Sequence, residues 1–314
     1  MLTRNELNAR LNNPEFPVLL IAELGINHNA DYKLACDMMQ AAIDNGATAV
    51  KLQSYTTDLF INKQAKDVSG LIEIFKQCEL SLESHRKCID YAIQKNIPLF
   101  STILTDDYLD LWHDSGCNVA KVASGDLDNN FLHLKLMEKG FDTIVSTGAN
   151  NLDTVRRTQS LYNSQGYEPI SFLHCVSMYP TPIEKVNLKR IQALTELTGL
   201  QAGFSDHTMG VKAAFGAVIA GAKIIEKHFT LDKGLPGPDQ QLSADPKVLR
   251  HLRKTIEKAL LVLGDGEQPF DEELQSDYYG KRSLYSLGSK LVDQRPRQSS
   301  QPSVNKLTKI INPD

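Results

Sequence analysis

The sequence predicts a (β/α)8 barrel, an α/β fold in which eight parallel strands alternate with eight helices, followed by a short irregular C-terminal tail. The length is the first observation, because 314 residues suit one large barrel with extra elements. The second is that short apolar runs alternate with amphipathic stretches from residue 17 to about residue 262. A doubly wound open sheet is the alternative, but the even size of the units and the lack of a glycine-rich dinucleotide turn favour a closed barrel.

The apolar runs are short and continuous, as parallel strands buried on both faces require. The eight strands are predicted at residues 17–23, 47–53, 97–102, 119–124, 143–147, 170–175, 201–205 and 222–228.

The stretches between the strands have the spacing of helices. The first repeats apolar residues at Leu34, Met38 and Ala42 and ends at Gly46, a C-cap candidate. Ser81 is an N-cap candidate for the second. The helices are predicted at residues 31–45, from 81 onward, and at 106–115, 131–139, 152–164, 188–197, 211–220 and 246–263.

Three segments are expected: an N-terminal extension over 1–16, a catalytic barrel over 17–265, and a linker with a truncated or degenerate tail over 266–314. Residues 54–80 form an unusually long connection with a helical patch at 71–75, which favours a lid or a binding loop. The tail is polar and is expected to pack poorly beyond about Tyr285.

The composition argues against several classes of protein. With a net charge of -4, the chain has no strong positive field to attract nucleic acid or a membrane surface. Five cysteines without a CxxC pair favour reduced thiols in the cytosol. The sequence has neither the apolar segment of a signal peptide nor a run long enough to span a bilayer. We therefore expect a cytoplasmic protein that binds small molecules.

Polar residues follow every predicted strand at the same end. Catalytic groups of a barrel gather at the C-terminal ends of its strands, so the active site is expected there. The residues at these ends are Glu23, Lys51, Gln53, Ser101, Thr102, Lys121, Ser124, Ser146, Thr147, His174, Ser205, Asp206, His207, Glu226 and His228.

Lys51 and Lys121 lie in apolar strand patterns and are expected to point into the barrel. A buried ammonium needs an anionic partner, and three interpretations follow. One is a structural salt bridge to Glu23 or Glu226. The second is a phosphate site, in which nearby serine hydroxyls supply further donors. The third is a Schiff-base lysine, against which the presence of a second lysine argues weakly.

His207 and His228 end neighbouring strands, so their imidazoles can converge. Two histidines can bind a catalytic divalent metal and leave its other coordination positions open. Either histidine alone would more often be an ordinary buried histidine. Asp206 is a candidate to orient His207 by a hydrogen bond. His28 is either a loop residue near the site or a cap for the next helix.

Seven motifs resemble the N-acetylneuraminate (sialic acid) synthase family in the same order and spacing. They are IAELGINHNAD, AVKLQSY, KVASGD, STGA, HCVSMYPTP, GFSDHT and IEKHFTLDKGLPGPD, and the likeness extends over about residues 17–285. The resemblance implies a (β/α)8 barrel that condenses phosphoenolpyruvate with N-acetylmannosamine or a related 2-acylamino sugar. The products would be a nonulosonic acid and phosphate.

The resemblance also implies a role for each matching residue. Catalysis would fall to Glu23, which would move protons near the reacting carbons, and to His207 and His228, which would hold a divalent metal such as Mn²⁺, Mg²⁺ or Co²⁺. Phosphoenolpyruvate would be bound by Lys51, Thr102, Lys121, Ser124, Ser146 and Ser205. The sugar would face Gln53, Asp126, Ser177, Tyr179 and Asp239.

The sequence departs from the family pattern at a few positions. Asp126 stands where the family usually has glutamate, and Ser177 where some members have asparagine, which leaves the exact sugar open. Family members usually continue into an antifreeze-like domain that acts as a cap across a dimer. About 29 residues follow Tyr285, so we expect this chain to lack that domain, and the resemblance leaves a homodimer open.

Two other functions are compatible with the same residues. A 3-deoxy-sugar-acid synthase would also use phosphoenolpyruvate, but with acceptors that lack the acylamino group. A catalytically weak paralogue would only bind a sugar or a partner protein. Against the second stands the observation that every predicted metal and phosphate position has a chemically suitable residue.

Overall fold

The computed structural model of the protein describes residues 1–264, 266, 273, 282–287 and 289–294. The chain divides into two compact units, Met1–Leu263 and Gly264–Asp314. The first unit is a closed barrel of parallel strands with helices between them, which confirms the predicted fold.

The barrel strands follow one another around the sheet in chain order. Labelled β1 to β8, they are Leu19–Gly25, Ala49–Ser54, Leu99–Ile103, Val119–Val122, Asp142–Ser146, Ser171–Cys175, Gly203–Asp206 and Ile224–His228. The barrel closes where β8 pairs with β1, and this register places His228 beside Glu23. All eight strands were predicted, and their ends differ from the prediction by at most two residues.

The helices surround the barrel and include three that were not predicted as such. Labelled α1 to α11, they are Arg4–Leu11, Tyr32–Asp44, Thr57–Phe60, Ser69–Cys78, Leu82–Gln94, Leu109–Asp114, Asn130–Glu138, Leu152–Ser164, Lys189–Thr198, Lys212–Ile219 and Pro246–Leu263. The Ser81 side chain caps α5 as expected, and the Asp31 side chain caps α2. Short 3-10 turns lie at Asp106–Tyr108, Ser124–Asp126 and Ile183–Lys185.

The N-terminal extension forms α1, which packs at the bottom of the barrel. Thr3 and Glu6 make a capping box that starts the helix. The backbone N–H of Leu2 donates to the carbonyl of Leu99 at 2.9 Å, and the Leu7 side chain is fully buried in the core. This helix is not predicted from the sequence because most of the segment is polar.

The long connection between β2 and α5 contains α3 and α4, and the predicted helical patch lies within α4. Three aromatic rings hold it together, since Phe75 lies 5.2 Å from Tyr55 and 5.3 Å from Phe60 between ring centroids. The Tyr55 hydroxyl donates to the Phe75 carbonyl at 3.1 Å. This connection therefore has a defined conformation beside the C-terminal ends of the strands.

The second unit contains an antiparallel hairpin of β9 (Ser283–Leu287) and β10 (Lys290–Gln294), in which Val292 pairs with Tyr285. The hairpin was not predicted. The residues beyond about Tyr285 were expected to pack poorly and were assigned no strand. Most of the expected linker and tail over 266–314 lies outside the described residues. Among the residues that are described, no helix has the length and apolarity needed to cross a membrane.

Candidate active site

The C-terminal ends of the barrel strands surround an inner cavity of about 240 Å³. Side chains alternate along each strand, so every second residue near the strand end faces this cavity. The lining residues are Glu23, Lys51, Gln53, Phe60, Phe75, Thr102, Leu104, Lys121, Ala123, Ser124, Ser146, Cys175, Tyr179, Ser205, His207, Glu226 and His228. Of the residues to which the family resemblance gave a role, all but Asp126, Ser177 and Asp239 are among them.

Lys51 lies at the centre of a buried charge cluster. Its ammonium forms an ion pair with the carboxylate of Glu23 on the neighbouring strand, and Oε2 of Glu226 lies 3.7 Å away. The same ammonium donates to Oγ1 of Thr102 at 2.5 Å. The salt bridge considered for this lysine is therefore present, and it lies within the cavity.

The two carboxylates beside Lys51 have pKa values that are shifted in opposite directions. Burial raises the pKa of Glu23 to about 7, although Lys51 opposes this shift. Burial also acts to raise the pKa of Glu226, but Lys51, Lys121 and the hydrogen bond from Ser205 outweigh it and lower the pKa to about 2. Near neutral pH, Glu23 can exchange a proton while Glu226 stays ionised.

Lys121 is a buried ammonium that has no carboxylate partner in the described part of the chain. Its Nζ donates to Oγ of Ser146 at 2.6 Å and to the carbonyl of Val122 at 2.8 Å. Burial lowers the pKa of Lys121. Since a buried charge is costly unless it is paired, this lysine favours an anionic ligand in the cavity.

Gly148 brings the loop after β5 against the serines at this end of the cavity. Its φ of +48° is accessible mainly to glycine, and a Cβ added here would lie 2.5 Å from Cβ of Ser124 and 2.8 Å from Oγ of Ser177. The close approach fixes the position of Ser124, which lines the cavity beside Ser146.

The imidazoles of His207 and His228 converge on the cavity, with ring centroids 5.6 Å apart. Nδ1 of His207 lies 2.8 Å from the carbonyl oxygen of Val176, so this nitrogen must donate and the lone pair is on Nε2. Burial lowers the pKa of both histidines to about 4, which keeps the rings neutral. Neutral imidazole is the form that binds metals.

The imidazole pair fits a divalent ion that takes its other ligands from substrate or water. The buried Nδ1 of His228 has no hydrogen-bond partner among the described residues, and Oδ2 of Asp239 lies 3.7 Å from it. Within the same residues, no cluster of three or more histidine, cysteine, aspartate or glutamate side chains could hold a metal. A metal held by these two imidazoles would need its remaining ligands from substrate or water.

Four of the polar residues at the strand ends do not line the cavity, contrary to expectation: Ser101, Thr147, His174 and Asp206. The Asp206 carboxylate pairs with Lys227 at 2.9 Å and accepts from the backbone N–H of Thr208 at 2.8 Å, so it does not orient His207. His174 donates from Nε2 to the carbonyl of Val186 at 2.6 Å. His174 and Asp206 each lie one residue before a cavity-lining residue, and the alternation of the strand turns their side chains to the other face.

His28 is buried in the loop after β1 and caps no helix. Its Nδ1 accepts from the backbone N–H of Ala30 at 3.2 Å, while the side chain of Asp31 caps α2. Burial lowers the pKa of His28 to about 3. The structure therefore supports the interpretation of His28 as a loop residue and not as a helix cap.

The predicted sugar-binding residues lie in three different places. Gln53 and Tyr179 line the inner cavity, and the Tyr179 ring packs against that of His207 with centroids 4.3 Å apart and planes tilted by 32°. Asp126 accepts from Nδ2 of Asn129 at 3.0 Å, and neither it nor the exposed Ser177 lines the inner cavity. Their contacts with a sugar stay predictions.

An outer cavity of about 450 Å³ adjoins the inner one and shares four lining residues with it. It also contains Asp239, whose pKa burial raises. The lining residues are Ile26, Gln53, Leu71, Ile74, Phe75, Tyr179, His228, Pro238 and Asp239.

Sequence reasoning assigned no site role to several cavity residues. Glu226 stood among the polar strand ends, and its place two residues before His228 on β8 puts both on one strand face, a signal that could have identified it. Cys175 follows His174 on β6, so alternation along the strand turns the Cys175 side chain toward the cavity. Phe60 and Phe75 come from the long connection, where no periodic pattern shows which side chains turn inward.

The chain matches one protein family and is similar to several sugar-acid synthases. A family model described as the NeuB family matches residues 38–268. The N,N'-diacetyllegionaminic acid synthase of Legionella pneumophila is 36% identical over 280 residues, covering 84% of this chain and 79% of that protein. The pseudaminic acid synthase of Campylobacter jejuni is 33% identical over 285 residues, covering 87% and 83% respectively.

The fold is also similar to that of a solved structure. The N-acetylneuraminic acid (sialic acid) synthetase of Leptospira borgpetersenii, crystallised with citrate, superposes with a TM-score of 0.77 at 32% identity. The match covers 83% of this chain and 90% of that chain.

Proposed function

Because the chain belongs to the NeuB family, we propose that it condenses phosphoenolpyruvate with a 2-acylamino sugar, such as N-acetylmannosamine, to give a nonulosonic acid and phosphate. The observation that carries this proposal is that two buried lysines and two neutral imidazoles line one cavity. Such a cavity suits a phosphate ester together with a carbonyl that needs polarising. The similarity to legionaminic, pseudaminic and sialic acid synthases supports the same class of reaction.

Phosphoenolpyruvate is proposed to bind at the lysine end of the cavity. Lys121 supplies a buried positive charge that has no carboxylate partner among the described residues, and Lys51 adds a second. The hydroxyls of Ser124 and Ser146 line the cavity and are proposed as donors for the phosphate. The Ser205 hydroxyl donates to Glu226, and it is proposed to turn to the phosphate when the ligand binds. Thr102 is proposed to bind the carboxylate. This arrangement holds the dianion by charge and by hydrogen bonds at once.

His207 and His228 are proposed to hold a divalent metal, with Mn²⁺ as the first candidate and Mg²⁺ or Co²⁺ as alternatives. The fixed tautomer of His207 and the neutral rings favour this role. When bound, a divalent metal polarises the sugar aldehyde as a Lewis acid. Gln53, Tyr179 and Asp239 would position the sugar, with Asp126 and Ser177 as further candidates.

The reaction joins C3 of phosphoenolpyruvate to the aldehyde carbon, and water then adds at C2. Glu23 gives a proton to the aldehyde oxygen as the carbon–carbon bond forms and takes one back from the added water, since its pKa of about 7 allows both steps. The C–O bond to phosphate then breaks, the C2 hydroxyl becomes a carbonyl, and its proton leaves with the phosphate. Lys51 and Lys121 stabilise the phosphate throughout.

We also propose that the enzyme is cytoplasmic, that it acts on small molecules and that it forms a homodimer. The five cysteines are free and buried, which is typical of a reducing compartment. The negative net charge favours neither nucleic acid nor anionic membranes as partners. The homodimer rests on the resemblance to the synthase family, and sedimentation would test it.

The test is to incubate the purified protein with phosphoenolpyruvate, Mn²⁺ and a panel of 2-acylamino hexoses, and to measure phosphate and product mass. We expect stoichiometric phosphate and a nonulosonic acid with at least one sugar. An acceptor without an acylamino group, such as arabinose 5-phosphate, serves as the control for a 3-deoxy-sugar-acid synthase. Phosphate release only with that control acceptor would contradict the proposal. The absence of phosphate release with every acceptor would contradict it as well.

A further inference from the structure

Two of the five cysteines lie side by side between neighbouring helices that surround the barrel. Cys36 is on α2 and Cys88 is on α5, and these two helices pack against each other. Both residues are on the buried faces of their helices, and they are 8% and 0% exposed. Neither lines the inner cavity, so the proposed condensation uses neither thiol.

The contacts of Cys88 place its sulfur beside Cys36. Sγ of Cys88 lies 3.9 Å from the carbonyl oxygen of Tyr32, which is one helical turn before Cys36 on α2. The side chains of Cys36 and Cys88 are hydrogen-bonded to each other. Another contact between the helices lies close by, since Nζ of Lys87 is 4.8 Å from the centre of the Tyr32 ring. The two sulfurs therefore need only a small movement to reach bonding distance.

The two thiols differ in reactivity. The Cys88 thiol donates to the sulfur of Cys36, and this lowers the pKa of Cys36 although burial opposes the shift. The same hydrogen bond and burial raise the pKa of Cys88. Cys36 also keeps the larger exposed fraction. It is therefore the thiol that ionises first and that a small oxidant reaches first.

We propose that Cys36 and Cys88 are a modification site at which a peroxide forms a reversible disulfide between α2 and α5. The Cys36 thiolate attacks one peroxide oxygen, so that an S–O bond forms and the O–O bond breaks. With hydrogen peroxide, the hydroxide that leaves takes the proton of Cys88 and becomes water. The Cys88 thiolate then attacks the sulfur of the Cys36 sulfenic acid and expels a second hydroxide, which is protonated by solvent. Two thiols are thus oxidised to one disulfide, and one peroxide is reduced to two waters.

The disulfide would enclose a segment that builds part of the inner cavity. Residues 37–87 lie between the two cysteines and include Lys51, Gln53 and Phe75, which line that cavity. Closing so long a loop restricts the unfolded chain more than the folded one. We therefore expect the oxidised protein to have a Tm higher than the reduced protein by roughly 5 °C or more.

The experiment treats the full-length native protein with hydrogen peroxide and removes the excess with catalase. The remaining thiols are then alkylated in denaturant, and the peptides are identified by mass. The protein should lose two of its five free thiols and give one cross-linked peptide pair that contains Cys36 and Cys88. Dithiothreitol should restore all five thiols, and thermal unfolding before and after this reduction measures the shift in Tm.

Two variants test the roles of the individual thiols. Cys88→Ala removes the second thiol, so Cys36 should accumulate as a sulfenic acid that dimedone labels. Cys78→Ala is the matched control, because Cys78 is 5% exposed and its Sγ lies 4.0 Å from Oδ1 of Asn29. This variant should form the same cross-link as the native protein.

Three results would overturn the inference. One is that all five thiols stay free at a peroxide concentration that oxidises glutathione in the same sample. Another is a cross-link that includes Cys78, Cys117 or Cys175. The third is a Cys36–Cys88 disulfide that leaves Tm unchanged or lowers it, because the folded protein would then not accommodate the bond. None of these results bears on the proposed condensation, since both thiols lie outside the inner cavity.

Discussion

Gly148 shows how one residue without a side chain positions two others. Its backbone lies against Ser124 and Ser177, and its φ of +48° disfavours any residue with a Cβ. Ser124 is in turn one of the donors proposed for phosphate. The shape of the site therefore depends on a position that has no chemistry of its own.

Gly148→Ala should raise KM for phosphoenolpyruvate, because the new Cβ would displace Ser124. The loss of one hydrogen bond to a charged ligand costs roughly 1.5–3 kcal/mol, or about 10- to 100-fold in binding. Steady-state kinetics with varied phosphoenolpyruvate measures the effect. Gly140→Ala is the matched control, since Gly140 has a φ of +76° with no atoms near its added Cβ.

The control separates backbone strain from displacement of the serine. Both substitutions should lower stability by roughly 1–2 kcal/mol through the positive φ. Gly140→Ala should leave KM unchanged. Equal kinetic effects in the two variants would show that strain alone, and not contact with Ser124, is responsible.

Glu23 should make the stability of the protein depend on pH. Its pKa is about 7 in the folded state and 4.5 as the reference value, so the folded protein binds a proton more tightly than the unfolded chain. The contribution of Glu23 to stability is complete below about pH 4.5 and is lost as the pH rises through 7. Glu23→Gln removes this loss.

The free energy of unfolding of Glu23→Gln, relative to the native protein, should therefore rise between pH 5 and pH 8 by an amount on the order of a few kcal/mol. Urea unfolding at several pH values, with a chelator present, measures the difference. Glu73→Gln, at an exposed position of α4, is the control and should give a constant difference. A constant difference for Glu23→Gln as well would contradict the pKa shift.

At the scale of elements, the two ends of the barrel have separate tasks. The ends that carry Glu23, Lys51 and His228 build the cavity, whereas α1 packs at the opposite end, where Leu2 bonds to Leu99 at the start of β3. In barrels of this kind, the bottom face contributes stability and the top face contributes chemistry. Substitutions in α1 should therefore change stability without changing the site.

Leu7→Ala should destabilise the protein by roughly 2–5 kcal/mol, because it leaves a cavity in a fully buried position. The KM for phosphoenolpyruvate should be unchanged at temperatures where the variant is folded. Chemical denaturation and kinetics on the same sample test both parts. Asn8→Ala, at an exposed position of the same helix, should change neither quantity.

At the scale of the whole molecule, the strand pattern explains how much of the site could be predicted. Continuous apolar runs predicted the barrel, and the polar strand ends predicted most of the inner cavity. Alternation along a strand decides the rest: Glu226 and His228 face inward, whereas Lys227 between them pairs with Asp206 on the other face. Applied strictly, that rule would have included Glu226 and excluded Asp206.

Other features depend on tertiary contacts, which leave no periodic pattern in the sequence. Helix α1 is mostly polar, and the buried Leu7 within it and Leu2 just before it make no pattern long enough to predict a helix. The inward turn of Phe60 and Phe75 follows from packing within the long connection, where their rings meet at 5.3 Å. Such contacts depend on the fold of the whole connection and not on local sequence.

We propose that one cavity holds a cation between two imidazoles and an anion between two lysines. A crystal structure with phosphoenolpyruvate and Mn²⁺, with data collected at the manganese absorption edge, tests this claim directly. We predict an anomalous peak within bonding distance of His207 and His228, and phosphate density in contact with Lys51 and Lys121. A peak elsewhere, or phosphoenolpyruvate bound away from both lysines, would contradict the account.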